Sequence, residues 1–250
     1  MNKLIQKLLD SGIKNAAQEH QWLKDSAESE QQLSTWVDDR SKGKPLAYIL
    51  GHVDFFGLNL TVNEHVLIPR FETETFVELF LQHTPKHKPY HILDLGCGSG
   101  AIALAIKKHL PKCNVIGLDL SLDALNVALS NQRNYPDIHI HWVQGDWLNA
   151  INLDKIDIII SNPPYVESDW QDSSIFFEPN TALYSGKDGL DDIKKIIHQA
   201  SQHPHLELWF EHGHEHDLSK IISSSWNIQK FFDHSGTQRF THLTSKKKHV

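Results

Sequence analysis

The segment Asn162-Pro163-Pro164-Tyr165 holds the residues of this chain best suited to act on a planar nitrogen group. An amide or exocyclic amine nitrogen is a poor nucleophile because its lone pair is delocalised. Two hydrogen-bond acceptors, one for each N–H group, can orient the nitrogen so that its lone pair points toward an electrophile. The Asn162 side-chain oxygen and the Pro163 carbonyl can be these acceptors, and the prolines stiffen the loop and remove competing donors. Tyr165 offers a flat face to the planar group. We take Asn162, Pro163 and Tyr165 as catalytic candidates, although a tight turn after a strand is the alternative.

A glycine-rich loop at residues 94–100, Asp-Leu-Gly-Cys-Gly-Ser-Gly, separates an apolar run from a helical pattern. Glycines let the backbone turn sharply and let a ligand approach where a Cβ would clash. The N-terminus of the following helix adds N–H donors and partial positive charge. We therefore expect a cofactor to contact Gly96, Cys97, Gly98, Ser99 and Gly100.

Acidic residues at two further strand ends are expected beside the same loop. Asp119 ends the next predicted strand, where a carboxylate can accept hydrogen bonds from both ribose hydroxyls. Asp146 ends the third strand, where it can accept from an adenine amino group, and Trp147 can flank the base. These features favour S-adenosylmethionine, but the glycine spacing also fits the looser pattern of nicotinamide and flavin sites. Helix capping by Asp119 and core packing by Trp147 remain alternatives.

Alternating strand and helix patterns must position these loops. Strand-length apolar patterns cover residues 91–95, 115–118, 138–143, 157–161, 206–210, 228–232 and 239–243. Helical patterns cover residues 72–82, 101–110 and 121–131, the last capped by Ser121. This alternation predicts an α/β fold with a mostly parallel sheet, in which ligands bind beyond the carboxyl ends of the strands. The glycine loop and the Asn-Pro-Pro-Tyr loop follow two of these strands, so both are expected at one edge of the sheet.

The N-terminal part of the chain has a different pattern. Apolar residues recur at helical spacing up to about Val37, which predicts a small bundle of short helices. Leu8, Trp22 and Trp36 are expected in its core, or alternatively on a face that binds a partner. Residues 48–62 alternate apolar and polar side chains around two glycines, which predicts a β-hairpin. We divide the chain into a helical bundle (1–45), a hairpin linker (46–70) and a third domain (71–250).

The composition narrows the class of protein. Among 250 residues, 40% are hydrophobic and 22% charged, and no apolar run is long enough to span a membrane. The N-terminus becomes polar too soon for a secretory signal, and the two cysteines fit a reducing compartment, so we expect a cytoplasmic protein. A net charge of −7 argues against a stable nucleic-acid partner. The Lys246-Lys247-Lys248 tail is interpreted as a solvated terminus rather than a basic patch.

Histidines cluster at His212, His214 and His216, which raises the question of a metal site. The chain has 18 histidines, so such clustering is unsurprising, and the chemistry predicted above needs no open metal position. We expect no metal.

Together these motifs resemble the release factor glutamine methyltransferases, the PrmC/HemK family. The cofactor and acceptor loops are shared with many nitrogen methyltransferases, whereas the connector followed by Ile68-Pro69-Arg70 narrows the match to this family. Further matching segments are Gly43-Lys44-Pro45-Leu46-Ala47-Tyr48-Ile49-Leu50-Gly51, Asp54-Phe55-Phe56-Gly57, Glu72-Thr73-Glu74, Glu178-Pro179 with Ala182-Leu183, Gly186-Lys187-Asp188-Gly189-Leu190-Asp191 and Glu211-His212-Gly213. Phe71 stands where the family commonly has proline and His216 where it commonly has glutamine, departures that bear on the cofactor lid rather than the reaction.

The resemblance implies a Rossmann-like, seven-stranded class I methyltransferase domain with a small N-terminal helical domain and a β-hairpin linker. It implies S-adenosyl-L-methionine as methyl donor and S-adenosyl-L-homocysteine as product. The acceptor would be the side-chain amide nitrogen of the glutamine in the Gly-Gly-Gln motif of peptide chain release factors. Carried onto this sequence, the cofactor contacts are the 96–100 loop, Asp119, Trp147 and Asn162. The substrate contacts are Asn162, Pro163, Pro164 and Tyr165, with Phe55 as a candidate pocket wall.

Other functions share some of these motifs. A nucleic-acid methyltransferase acting on adenine N6 or guanine N2 uses the same acceptor loop, but it needs a base pocket and a basic approach surface. Net acidity and the short N-terminal domain disfavour that alternative. A nucleotide-binding oxidoreductase, or a cofactor sensor without catalysis, is a third class, and only the oxidoreductase would be stabilised by nicotinamide cofactors.

Overall fold

The computed structural model describes residues 2–170 and 175–246. Four helices come first along the chain: α1 (Lys3–Asp10), α2 (Ala16–Ser26), α3 (Glu30–Ser41) and α4 (Leu46–Leu50). Asn2 and Ser29 cap α1 and α3 by accepting hydrogen bonds from backbone N–H groups of the first turns. The helices share one core, which contains Leu8, Ala16, Leu23, Leu33, Val37 and Ile49. The predicted helical bundle is therefore present.

Two expectations for this bundle need correction. Trp22 is 47% exposed and not in the core, because the next residue, Leu23, occupies the inward position of α2. Leu8 is fully buried and Trp36 packs partly against the same cluster, as expected. The hairpin also begins later than residue 48, because Leu46–Leu50 forms α4 between Pro45 and Gly51, and Gly51 ends the helix with a φ of 80°.

The hairpin consists of β1 (His52–Phe55) and β2 (Leu58–Thr61), which pair antiparallel. Helix α5 (Phe71–His83) follows, and then β3 (His91–Leu95), α6 (Ala101–His109), β4 (Asn114–Asp119), α7 (Leu122–Arg133), β5 (His141–Gln144), β6 (Ile158–Ser161), α8 (Asp191–Ala200), β7 (Glu207–Glu211), β8 (Trp226–Phe232) and β9 (Gln238–Ser245). Every strand predicted from the apolar runs is present, and Ser121 caps α7 as expected.

Strands β3 to β9 form one seven-stranded sheet in the order β5-β4-β3-β6-β7-β9-β8. The first five strands in this order, β5, β4, β3, β6 and β7, are parallel to one another. Strand β9 runs antiparallel to both of its neighbours, β7 and β8. Large apolar clusters pack against the sheet, one including residues of α5 and α6 and the other residues of α8. The predicted α/β fold with a mostly parallel sheet is confirmed.

Two elements differ from the sequence prediction. Strand β5 begins at His141 rather than residue 138, because the Ile138 N–H donates to Tyr135 and the Ile140 N–H donates to the Gln132 side chain at the end of α7. Those backbone groups are therefore not used in the sheet. Helix α8 was not predicted, although Ile193, Ile196, Ile197 and Ala200 recur at helical spacing and are buried.

The described residues contain no helix with the length and apolar character needed to cross a bilayer. Of the lysine tail, Lys247 and Lys248 lie outside the described residues.

Candidate active site

A cavity of about 560 Å³ lies at the carboxyl ends of the central strands. Its size falls within the range of small-molecule and cofactor sites. The sequence-predicted residues that line it are Gly96, Gly98, Asp119, Asp146, Trp147, Asn162 and Pro164. The glycine loop after β3 and the acceptor loop after β6 therefore meet, because these two strands are neighbours in the sheet.

Three members of the glycine loop do not line the cavity. Cys97, Ser99 and Gly100 are buried behind it. The Cys97 N–H donates to the Leu118 carbonyl, and the Asn131 side chain donates to the Ser99 carbonyl at 3.0 Å. A Cβ on Gly100 would lie 2.7 Å from the Trp142 ring, so only glycine fits. These residues shape the loop from behind.

Three of the predicted substrate contacts, Pro163, Tyr165 and Phe55, do not line the cavity. Pro163 and Tyr165 belong to the acceptor loop beside it, whereas Phe55 lies in the core. The Phe55 side chain is 1% exposed and belongs to the apolar cluster that includes Phe76 and Phe80. Burial alternates along the hairpin, and Phe55 occupies an inward position of β1. The structure thus makes Phe55 a packing residue instead of a pocket wall.

Asp119 joins the glycine loop to the start of α7. Its carboxylate accepts hydrogen bonds from the Gly98 N–H at 2.8 Å and the Ser121 N–H at 2.9 Å, and it lines the cavity. Burial raises the pKa of this carboxyl, and the backbone donors oppose that shift. Asp119 therefore does not cap α7 itself, because Ser121 is the N-cap; it holds the backbone of that cap residue and also faces the cavity.

The helix α8 positions the two residues expected around an adenine base. Trp147 donates its indole N–H to Asp192 at 2.9 Å, and its ring approaches Gly96 closely enough that a Cβ there would lie at 3.6 Å. Asp146 is exposed and accepts hydrogen bonds from the Lys195 ammonium at 2.8 and 2.9 Å. Asp192 and Lys195 also line the cavity, and neither was expected there because the helix that carries them, α8, was not predicted.

Asp94 is a third residue to which the sequence patterns assigned no role. It is fully buried, one carboxylate oxygen accepts from the Ala103 N–H at 2.9 Å, and the other has no partner within the described residues. Burial raises its pKa to about 7, and the Ala103 hydrogen bond opposes this shift. An unpaired buried oxygen at the base of the glycine loop suits a ligand with a cationic or N–H donor group. The sequence feature that could have identified Asp94 is its position as the first residue of the 94–100 glycine loop.

Hydrogen bonds hold the last residue of β6 and the first residue of the acceptor loop. The Ser161 hydroxyl donates to the Leu95 carbonyl at 2.6 Å, and the Asn162 amide nitrogen donates to the Thr73 hydroxyl at 3.3 Å. In the part of the chain that the structure describes, no donor binds the Asn162 side-chain oxygen. Pro163 is buried and Tyr165 is half-buried, and burial raises the tyrosine pKa so that its phenol stays neutral. The loop thus presents uncharged oxygen acceptors.

An ion pair between Arg70 and Glu178 joins two segments of the cavity wall. Glu178 also accepts a hydrogen bond from the Ile68 N–H, and its side chain is 1% exposed. Residues just before Arg70 (His65, Val66 and Leu67) and just after Glu178 (Pro179, Thr181 and Ala182) line the cavity. The pair therefore acts as a clamp between these segments.

Comparison with known proteins places the chain in a family. The family model of the methyltransferase small domain matches residues 72–178. The release factor glutamine methyltransferase of Buchnera aphidicola is 40% identical, over 86% of this chain and 81% of that protein. Its Coxiella burnetii counterpart is also 40% identical, over 76% of this chain and 70% of that protein. The chain belongs to the release factor glutamine methyltransferase family. The resemblance seen in the motifs is therefore confirmed.

Solved structures support the fold. The human METTL16 catalytic domain, in complex with a MAT2A 3'UTR hairpin, aligns with a TM-score of 0.57 and 19% identity over 88% of this chain and 83% of that one. A methyltransferase from Pyrococcus furiosus aligns with a TM-score of 0.56 and 18% identity over 77% of this chain and 91% of that one. At such low identity these likenesses establish the class I methyltransferase fold and say nothing about substrate.

Proposed function

We propose that this enzyme methylates the side-chain amide nitrogen of the glutamine in the Gly-Gly-Gln motif of peptide chain release factors. One observation carries the proposal. The Asn162-Pro163-Pro164-Tyr165 loop borders the cofactor-sized cavity, and its asparagine oxygen has no partner in the described parts of a chain that is 40% identical to relatives named for this activity. A glutamine amide is the planar NH2 group that such a loop suits. The proposal includes the cytoplasmic location expected from the sequence.

S-adenosylmethionine is the proposed methyl donor, and the cavity has the groups to hold it. Asp119 and Trp147 line the cavity and suit the ribose hydroxyls and a flat base. Asp94 is fully buried at the start of the glycine loop and does not line the cavity, but its carboxylate oxygen without a partner among the described residues suits an ammonium group. When bound, this cofactor supplies a methyl group already activated on a sulfonium. The enzyme therefore needs to supply geometry and electrostatics, and no charged base has to activate the nitrogen.

In this proposal the acceptor loop orients the substrate amide. The Asn162 side-chain oxygen and the Pro163 carbonyl accept both N–H groups of the substrate amide and hold its lone pair toward the methyl donor. Pro164 lines the cavity, and the neutral Tyr165 ring offers an uncharged surface to the planar group. Uncharged acceptors suit an amide because they bind its N–H groups without removing a proton first.

The nucleic-acid alternative is less well supported. A methyltransferase that flips a base out of a duplex needs an electropositive approach to phosphate groups. This chain carries a net charge of −7, and the curated relatives quoted above are named for a protein substrate. A protein substrate is therefore the better account of the site.

Mass analysis of intact release factor tests the proposal directly. The enzyme, S-adenosylmethionine and release factor are incubated together, and the peptide that contains Gly-Gly-Gln is then fragmented. We expect one methyl group on the glutamine, and none on a release factor whose motif glutamine is replaced by alanine. Methyl transfer to DNA or RNA but not to release factor would establish the alternative.

A further inference from the structure

A buried hydrogen-bonded chain lies behind Asn162. The Asn162 amide nitrogen donates to the Thr73 hydroxyl at 3.3 Å, and the Thr73 side chain lies within hydrogen-bonding reach of the Glu211 carboxylate, whose Oε2 has no other partner among the described residues. Thr73 is 4% and Glu211 1% exposed, so water does not screen these contacts. Pairing of Ser161 with Phe210 brings the ends of β6 and β7 side by side, and the first turn of α5 supplies Thr73.

The direction of donation along these hydrogen bonds decides which end of the Asn162 amide faces the substrate. An ionised carboxylate only accepts hydrogen bonds, so the Thr73 O–H must donate to Glu211. The lone pairs of the Thr73 oxygen then accept from the Asn162 nitrogen, which leaves the Asn162 oxygen for the substrate. Protonated Glu211 can instead donate to Thr73, whose own proton is then free to bind the Asn162 oxygen. That reversal turns the amide and presents NH2, a donor, to the substrate NH2.

We propose that Thr73 and Glu211 are positioning residues that hold the Asn162 oxygen toward the substrate, and that ionisation of Glu211 controls this orientation. The inference deepens the proposed function and rests on it. Neither residue touches the reacting atoms; both act through Asn162.

The surroundings of Glu211 place its ionisation near neutral pH. Burial raises its pKa to about 7, and the Thr73 hydrogen bond opposes this shift. The charged and titratable groups around it are Glu72 at the start of α5, Arg70 before α5, Arg239 of β9 and Tyr165 of the acceptor loop. Glu72 raises the pKa and the two arginines lower it. As the pH falls through about 7, Glu211 takes up a proton and the orientation of Asn162 reverses.

Steady-state kinetics with release factor test the role of each residue. Thr73→Val keeps the shape of the side chain but removes the hydroxyl, and we expect kcat to fall roughly tenfold, the equivalent of one hydrogen bond. The KM for release factor and the Kd for S-adenosylmethionine should stay within about twofold. Thr73→Ser should restore kcat. The matched control is Thr75→Val, because Thr75 is also buried in α5 but lies on the opposite side of the helix.

The pH profile distinguishes positioning from simple packing. Wild-type kcat should fall below about pH 7, whereas Glu211→Gln should lack this acid limb. The side-chain amide of Asn162, labelled with ¹⁵N and assigned from its loss in Asn162→Ala, gives a readout independent of turnover. Its NMR signals should shift with an inflection near neutral pH in the wild type, and stay flat in Thr73→Val and Glu211→Gln.

The outcomes separate the two proposals. If the wild type methylates Gly-Gly-Gln but Thr73→Val matches Thr75→Val in kcat and pH profile, the positioning role is overturned and the proposed function stands. If the wild type does not methylate release factor, the proposed function fails. The NMR titration then still tests the hydrogen-bonded chain, and a signal without inflection in the wild type overturns it.

Discussion

Arg70→Met tests the clamp between the two segments of the cavity wall. The Glu178 side chain is 1% exposed, and without the guanidinium its carboxylate keeps, among the described residues, only the hydrogen bond from the Ile68 N–H at 3.4 Å. Breaking a fully buried ion pair costs roughly 3–5 kcal/mol. The Arg70 side chain is 37% exposed, so solvent already weakens the pair. We therefore expect a loss of about 2 kcal/mol, which lowers the melting temperature by roughly 4–8 °C in a chain of this size.

The pH dependence of that loss has a defined sign. Burial raises the pKa of Glu178 and Arg70 lowers it, so removing Arg70 raises it further. A carboxyl whose pKa is raised on folding loses stability as the pH rises toward its folded value. The deficit of Arg70→Met should therefore be larger at about pH 8 than at about pH 5.

Thermal and urea unfolding of single and double variants provide the assay. In a Glu178→Gln background, Arg70→Met should cost much less, because no buried charge is then left unpaired. Lys7→Met is the control, since its pair with Asp38 is exposed on both sides and its loss should barely change the melting temperature. Equal deficits at both pH values, or equal costs in both backgrounds, would refute the reasoning.

Three further predictions concern the site. Asn162→Ala should lower methyl transfer by roughly a hundredfold, as for other preorganised polar groups, with a smaller change in cofactor affinity by calorimetry; near-normal turnover would contradict its assigned role. Gly189→Ala should lower kcat roughly tenfold, because its φ is 66° and a Cβ would collide with the Tyr165 carbonyl, whereas Gly236→Ala, with a φ of 80° and open space, should not. Asp94→Asn should gain stability relative to the wild type between about pH 4 and 7. Burial raises the Asp94 pKa to about 7, so the wild type loses up to about 1.4 kcal/mol of its free energy of unfolding per pH unit in that range. Free energies of unfolding that change in parallel with pH in both proteins would exclude this effect.

Local sequence patterns were sufficient for most of the fold. The central strands β3, β6 and β7 were predictable because their apolar residues are buried, and α7 was predictable from the cap at Ser121. Trp22 was misplaced because helical spacing leaves open which of two adjacent apolar residues faces inward. The start of β5 depended on a side chain of α7, which no local pattern reveals.

Some residues of the candidate site could be predicted from local sequence, and others could not. The glycine loop and the acceptor loop were recognisable because their chemistry is contained in short segments, and neighbouring parallel strands bring them together. In the sequence, Thr73 and Glu211 stood out only because they lie in segments that match the family. Their connection to Asn162 needs three distant parts of the chain to meet behind the loop.

The sequence by itself determined the class of fold, the family and the two loops that face each other across the cavity. Tertiary structure alone decided that Phe55 packs in the core, that Arg70 and Glu178 clamp the wall, and that Asn162 turns its oxygen away from Thr73. The physical reason is the range of the interactions. Apolar spacing and turn chemistry act over a few residues, whereas burial, pKa and hydrogen-bond polarity depend on neighbours that only folding brings into contact.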